Sequence, residues 1–162
     1  EIRNIGSGST GATNVLRTGN YLASALTLFL DIFKALVAVK ICLFFYPDKF
    51  LLTVIFILVG NIFPIWLKNL SGGKGYASFL GILLASELLL FFSVIITWSI
   101  IFLLFRISSL STLVSIIALV ITTYNIPNIQ NEGVFIISAL IILISHAKNV
   151  LRLLQGKEQK IK

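Results

Sequence analysis

The chain has 162 residues, 57% hydrophobic and only 12% charged, with a formal net charge of +7 and a mean hydropathy of +1.02. A soluble domain of this length does not use so apolar a composition, so a bilayer is the expected solvent. The single cysteine, Cys42, lies in an apolar run and excludes a disulfide framework and a Cys-based metal site.

The chain opens at Glu1 on a polar Gly/Ser/Thr segment, has no methionine and shows no signal-peptide pattern. It reads as lacking its N-terminal part, and a further transmembrane helix is expected upstream. Within the opening segment, Gly6-Ser7-Gly8-Ser9-Thr10-Gly11 matches G-x-G-x-x-G, and Asp31 follows Gly11 by twenty residues. A dinucleotide fingerprint needs a buried strand before it, and none is predicted here. The segment reads instead as a phosphate-binding loop, with Arg17 offering a planar fork of donors, or equally as a small-residue hairpin packed between helices.

Apolar spans are predicted at 20–45 and 50–67, separated by Tyr46-Pro47-Asp48-Lys49. Asp31 and Lys34 sit one helical step apart in the first span and read as a structural pair that also props the first loop. Pro64 bends or ends the second span ahead of Ser71-Gly72-Gly73-Lys74-Gly75. This second loop is not a Walker A, because glycine follows Lys74 where Ser or Thr belongs. It reads as a flexible loop carrying one ammonium, and in isolation a basic cytoplasmic loop is the favoured explanation.

Further spans are predicted at 77–86, 88–105, 110–124 and 134–152. The 77–105 stretch is too long for one crossing and short for two, and charge decides the matter. Two crossings with a turn near Ser86-Glu87 put Arg3, Arg17, Lys68, Lys74, Arg106, Lys148, Arg152 and the Lys-rich tail inside, leaving only Lys49 in an outside loop. One crossing would move Arg106 and the basic C-terminus outside, against that rule. The expected fold is all-α: one polytopic transmembrane helix bundle of six spans, without internal repeat or linker, over 1–162. Three polar segments, 5–17, 67–78 and 146–152, then share the cytoplasmic face.

In the last of these, His146, Asn149 and Arg152 recur every three residues, so a continuous helix sets them on one face. Imidazole can take a proton near neutral pH, an amide can fix an oxygen, and guanidinium can hold phosphate. An ordinary helix end at the membrane interface is the bland alternative.

Together the three segments resemble the three motifs of the bacterial acyl-phosphate:glycerol-3-phosphate acyltransferases, in order. The first reads roughly G-S-G-N-x-G-A-T-N-x-x-R, met here by 6–17 with Ser9 in place of Asn. The second, F-P-x(n)-K-G-G-K-G-x-A, is met by Phe63-Pro64 and 71–77, with Ser71 in place of a basic residue. The third, R-H-x-x-N-I-x-R-L-x-x-G-x-E, is met by 145–158, with Ser145 in place of Arg. The similarity also takes in 30–34 and Arg106 with Ser109-Leu110.

The resemblance implies seven transmembrane helices in the full-length protein, a bacterial cytoplasmic (inner) membrane location and an active site on the cytoplasmic face. It implies fatty acyl phosphate and glycerol 3-phosphate as substrates and lysophosphatidic acid and phosphate as products. No cofactor, metal or nucleic-acid partner is expected, and oligomeric state is left open. Ser7, Asn14, Arg17 and Lys74 are assigned to phosphate, with Gly72, Gly73 and Gly75 at the acyl-phosphate end. Asn149 and Arg152 would orient glycerol phosphate, and His146 would take the hydroxyl proton or position the substrate. An acyl-serine on Ser7 is disfavoured, because the G-x-S-x-G elbow is missing. The rival reading is an organic-anion or phosphate transporter or channel, whose site would lie near the midplane between repeats. A structural membrane subunit with helix-packing glycines is the third.

Overall fold

A computed structural model of the chain describes residues 2–65, 67, 72–127 and 129–161. The described residues form eight α-helices and two 3-10 turns, with no strand. Helices are α1 (Ala12–Leu16), α2 (Tyr21–Phe45), α3 (Phe50–Ile62), α4 (Tyr76–Ser86), α5 (Leu88–Phe105), α6 (Ser108–Asn125), α7 (Glu132–Ser145) and α8 (Ala147–Leu154). They group into two compact units, Glu1–Ser86 and Glu87–Lys162.

In the first unit, the Asn20 side chain caps α2 by accepting the Ala23 N–H at 2.9 Å. Helix α2 then runs for 25 residues until Tyr46 and Pro47 stop it. Helix α4 is buried nearly all round, Phe79, Ile82 and Leu83 included, and packs on α2, whose Ala35 and Val39 are buried too. A Cβ on Gly81 would collide with the Ile32 carbonyl oxygen, so this glycine sets how closely α2 and α4 approach. Helix α3 ends at Ile62 because Pro64 drives Phe63 out of helical geometry (φ −121°, ψ 67°). Outward-facing Leu22, Phe44 and Phe56 are exposed, as a lipid-facing surface requires.

In the second unit, α5 and α6 pack as a pair. Helix α6 buries Ser109, Ser111, Thr112 and Ser115, whose small side chains admit a close neighbour. Ser93 and Thr122 hydroxyls meet at 2.7 Å, and Trp98 Nε1 donates to Thr112 Oγ1 at 3.3 Å. Arg106, at φ 60°, turns the chain between the two helices.

By length and composition, α5 and α6 are each sufficient to cross a membrane, and α7 with α8 would make a third span, bent by 58°. The six spans expected from sequence are therefore not all matched by a long helix. Helices α3 and α4, of 13 and 11 residues, are shorter than the ~20 residues that a bilayer core requires. Helices α4 and α5 are separate elements, with Glu87 between them. The single span expected at 134–152 is broken at His146, because the Ser145 hydroxyl and the His146 ring both bond the Ile142 carbonyl at the helix end.

Candidate active site

The first two motifs meet in the first unit. The 6–17 loop is organised around Asn14, which is 1% exposed. Its Nδ2 donates to the carbonyls of Ile2 (2.9 Å) and Ser9 (2.8 Å), and its Oδ1 accepts the Ser7 N–H at 3.0 Å and Arg17 Nη1 at 3.5 Å. With both amide hydrogens given to main-chain carbonyls, Asn14 shapes the loop and holds Ser7 and Arg17 on one side of it. Gly6, at φ +56°, lies under this group, and a Cβ there would come 2.5 Å from Asn14 Oδ1 and 2.7 Å from Arg17 Nη1. The Ser7 and Ser9 hydroxyls are 2.8 Å apart, so the position that departs from the motif still carries a polar partner for Ser7.

The second loop is bonded to the first through the Thr10 N–H and the Gly72 carbonyl, at 3.2 Å. Its own N–H groups turn inward. Gly72 donates to the Ile62 carbonyl and Gly73 to the Asn61 carbonyl, each at 3.0 Å, and Gly75 donates to Asn61 Oδ1 at 3.1 Å. The glycines thus let the loop lie against the end of α3: a Cβ on Gly73 would fall 2.7 Å from Asn61 Oδ1. Lys74 is carried between two such anchored residues and is half-buried. Ser71, the expected departure in this motif, and Lys68 lie outside the described residues.

Asp31 and Lys34 do pair, and the carboxylate is also bonded to the end of α3, at the residue that anchors the second loop. Asp31 Oδ1 accepts from Asn61 Nδ2 at 3.2 Å. Sequence reasoning missed Asn61; its signal was a lone amide at the end of an apolar span, next to Phe63-Pro64.

The third motif lies in the second unit. His146 is 4% exposed and occupies the break between α7 and α8, not the interior of a continuous helix as expected. Its Nδ1 is 2.9 Å from the Ile142 carbonyl oxygen and 3.1 Å from Ser145 Oγ. A carbonyl only accepts, so Nδ1 carries a hydrogen, which makes Nε2 the lone-pair nitrogen of the ring in its neutral form. Ser145 stands where the family motif has Arg, and its hydroxyl also bonds Ile142 O, at 2.7 Å.

Asn149 and Arg152 lie on α8 and share one acceptor that sequence reasoning quoted but gave no role. Glu158 Oε1 accepts from Asn149 Nδ2 at 2.8 Å and from Ser109 Oγ at 3.0 Å, while Oε2 accepts from Arg152 Nε at 2.8 Å. Burial pushes the Glu158 carboxyl up, and the donors Arg152, Asn149 and Ser109 together outweigh that, holding it below the usual carboxylate range. The tail carrying it is pinned further by Lys157 N–H to the Arg152 carbonyl and Ile161 N–H to the Arg106 carbonyl, both 2.8 Å. Among the described residues, no group of three or more His, Cys, Asp and Glu side chains could hold a metal ion.

Apolar helices with outward hydrophobic faces, two or three of them long enough to cross a bilayer, define a multi-pass membrane protein. The family model described as glycerol-3-phosphate acyltransferase matches residues 1–156. The chain is 43% identical over 163 residues to the glycerol-3-phosphate acyltransferase of Pelagibacter ubique (strain HTCC1062), covering 100% of this chain and 84% of that protein. It is 43% identical over 162 residues to that of Wolbachia pipientis wMel, covering 98% and 83%. Among solved structures, it superposes with a TM-score of 0.89 on the glycerol 3-phosphate form of PlsY, an integral membrane glycerol 3-phosphate acyltransferase. That match is at 27% identity and covers 99% of this chain and 82% of the other. The chain belongs to the glycerol-3-phosphate acyltransferase family.

Proposed function

We infer that this chain transfers a fatty acyl group from acyl phosphate to the sn-1 hydroxyl of glycerol 3-phosphate. The products are lysophosphatidic acid and inorganic phosphate, and the reaction runs at the cytoplasmic face of a bacterial inner membrane. The observation that carries the reading is the bond between the two glycine loops, which gathers Ser7, Arg17 and Lys74 into one unit. Family membership supports it, as do the glycerol 3-phosphate and lysophosphatidic acid forms in which PlsY was solved.

An acyl phosphate is already activated, so the hydroxyl of glycerol 3-phosphate attacks the acyl carbon and the carbon–oxygen bond to phosphate breaks. No acyl-enzyme is needed, and the residues hold the two phosphates and orient the hydroxyl. In this reading Arg17 and Ser7 hold phosphate, and Lys74 offsets the charge that grows on the departing phosphate. Asn14 and the glycines 72, 73 and 75 serve by contour, keeping those groups in place. Arg152, fixed through Nε on Glu158, keeps its terminal nitrogens for the phosphate of glycerol phosphate, with Asn149 beside it on α8. His146, its tautomer set by Ile142, accepts the hydroxyl proton at Nε2 or orients the hydroxyl by accepting its hydrogen bond. The short helices α3 and α4 complete the expected six spans with the help of their neighbours.

The test is phosphate release from the chain reconstituted in liposomes, with acyl phosphate and glycerol 3-phosphate supplied together or singly. Release that needs both, yields lysophosphatidic acid and falls about 10²-fold or more in Lys74→Ala supports the reading. Release with acyl phosphate alone, or none with a folded protein, refutes it.

A further inference from the structure

We propose that Asn61, at the end of α3, is a positioning residue that sets the Lys74 loop for the reaction proposed above. Asn61 holds the loop from two sides at once: its main-chain carbonyl takes the Gly73 N–H at 3.0 Å, and its side-chain Oδ1 takes the Gly75 N–H at 3.1 Å. Both peptide neighbours of Lys74 are therefore tied to one residue. The Nδ2 group, turned the other way, donates to Ser78 Oγ at 3.1 Å on α4 and to Asp31 Oδ1 at 3.2 Å on α2.

The amide orientation is dictated by its surroundings. A backbone N–H only donates, so the atom facing Gly75 is oxygen; a carboxylate only accepts, so the atom facing Asp31 is nitrogen. Helices α2 and α4 thereby fix one side chain of α3, and that side chain fixes the loop. The fit is tight as well as bonded, since a Cβ on Gly73 would sit 2.7 Å from Asn61 Oδ1. Lys34, bonded to Asp31, keeps that acceptor's charge compensated. A loop that carries a charge-stabilising ammonium gains from such anchoring, because displacement by about 1 Å at a reacting centre costs about 10²-fold in rate.

The side-chain chemistry predicts a specific pattern of loss and rescue. Asn61→Asp keeps an acceptor for Gly75 but loses the donor and sets a second carboxylate against Asp31. Asn61→Asp combined with Asp31→Asn restores one amide and one carboxylate with their places exchanged. The experiment measures kcat/KM of the full chain in liposomes, thermal unfolding in detergent, and amide hydrogen exchange of the 72–75 loop. Asn61→Asp is expected to lower kcat/KM about 10- to 100-fold, with the exchanged pair back within about threefold of the parent and all midpoints within a few degrees. Loop exchange should rise at least about tenfold in Asn61→Asp and fall back in the pair. The inference is overturned if Asn61→Asp keeps near-parental kcat/KM, if the pair is no better than the single variant, or if activity loss follows unfolding alone. It rests on the acyltransferase reading. A parent chain without turnover would sink that reading, while unchanged loop exchange would sink the anchoring by itself.

Discussion

Replacing Glu158 by Gln removes a charge without changing shape, and the geometry gives the cost. Glu158 presents two acceptor oxygens to three donors. A glutamine amide has one oxygen: facing Asn149 and Ser109, it turns its NH2 onto Arg152 Nε–H, and reversed, onto the Asn149 NH2. At least one charge-assisted or buried bond is lost in either case, worth about 1.5–3 kcal/mol. Because the Arg152 side chain is 35% exposed, water replaces part of that, and about 2 kcal/mol is the working value. The energy holds the tail, which carries the trypsin sites Lys157 and Lys160, against the second unit. A loss of about 2 kcal/mol raises the undocked fraction roughly 30-fold, and cleavage follows that fraction when opening is fast. Tryptic release of the C-terminal peptide in mild detergent should therefore accelerate about 30-fold in Glu158→Gln, and more in Glu158→Ala. A rate within threefold of the parent would refute the latch. Acid should act in the same direction: the folded-state carboxyl titrates below its ordinary value of about 4.3, so the latch is intact above that pH and weakens as pH falls through the depressed value.

Gly73→Ala should cost about 1–3 kcal/mol through overpacking against Asn61, lowering turnover by displacing Lys74, with kcat/KM as the readout. Gly133→Ala, on α7 with nothing within 4 Å of the added Cβ, should leave activity unchanged and raise stability by up to about 1 kcal/mol, read as a higher unfolding midpoint. His146→Ala should lower kcat about 10²-fold or more with the fold retained; near-parental turnover would refute both roles given to the ring.

The class of protein was legible because long apolar runs such as Leu88–Phe105 have only one stable solvent. The helix boundary at Glu87 was legible for a different reason, a lone acid interrupting a long apolar stretch. Boundaries that depend on side-chain bonding were not. Nothing in the hydropathy of 134–152 marks a break at His146, because that break comes from the Ser145 hydroxyl and the imidazole converging on one carbonyl. Helical periodicity gave the Asp31–Lys34 pair but not the further bond from Asn61, which joins residues thirty apart on different helices.

The residues of the three motifs were visible in sequence, while Asn61 and the division of labour among them were not. Asn14, Asn149 and Glu158 are polar residues in polar motifs, and composition gives each an equal claim on substrate, while Asn61 is a lone amide in an apolar span. Their bonds separate them. Asn14 and Asn61 use side-chain amides to close loops, and Glu158 orders α8 and the tail beneath Arg152. For the reaction proposed above, loops bonded internally in this way would need little rearrangement when phosphate arrives, so binding energy would not be spent on ordering them. Substitutions in this supporting layer should then depress turnover through displaced cations, which is why exchange and proteolysis measurements beside kinetics separate the two layers.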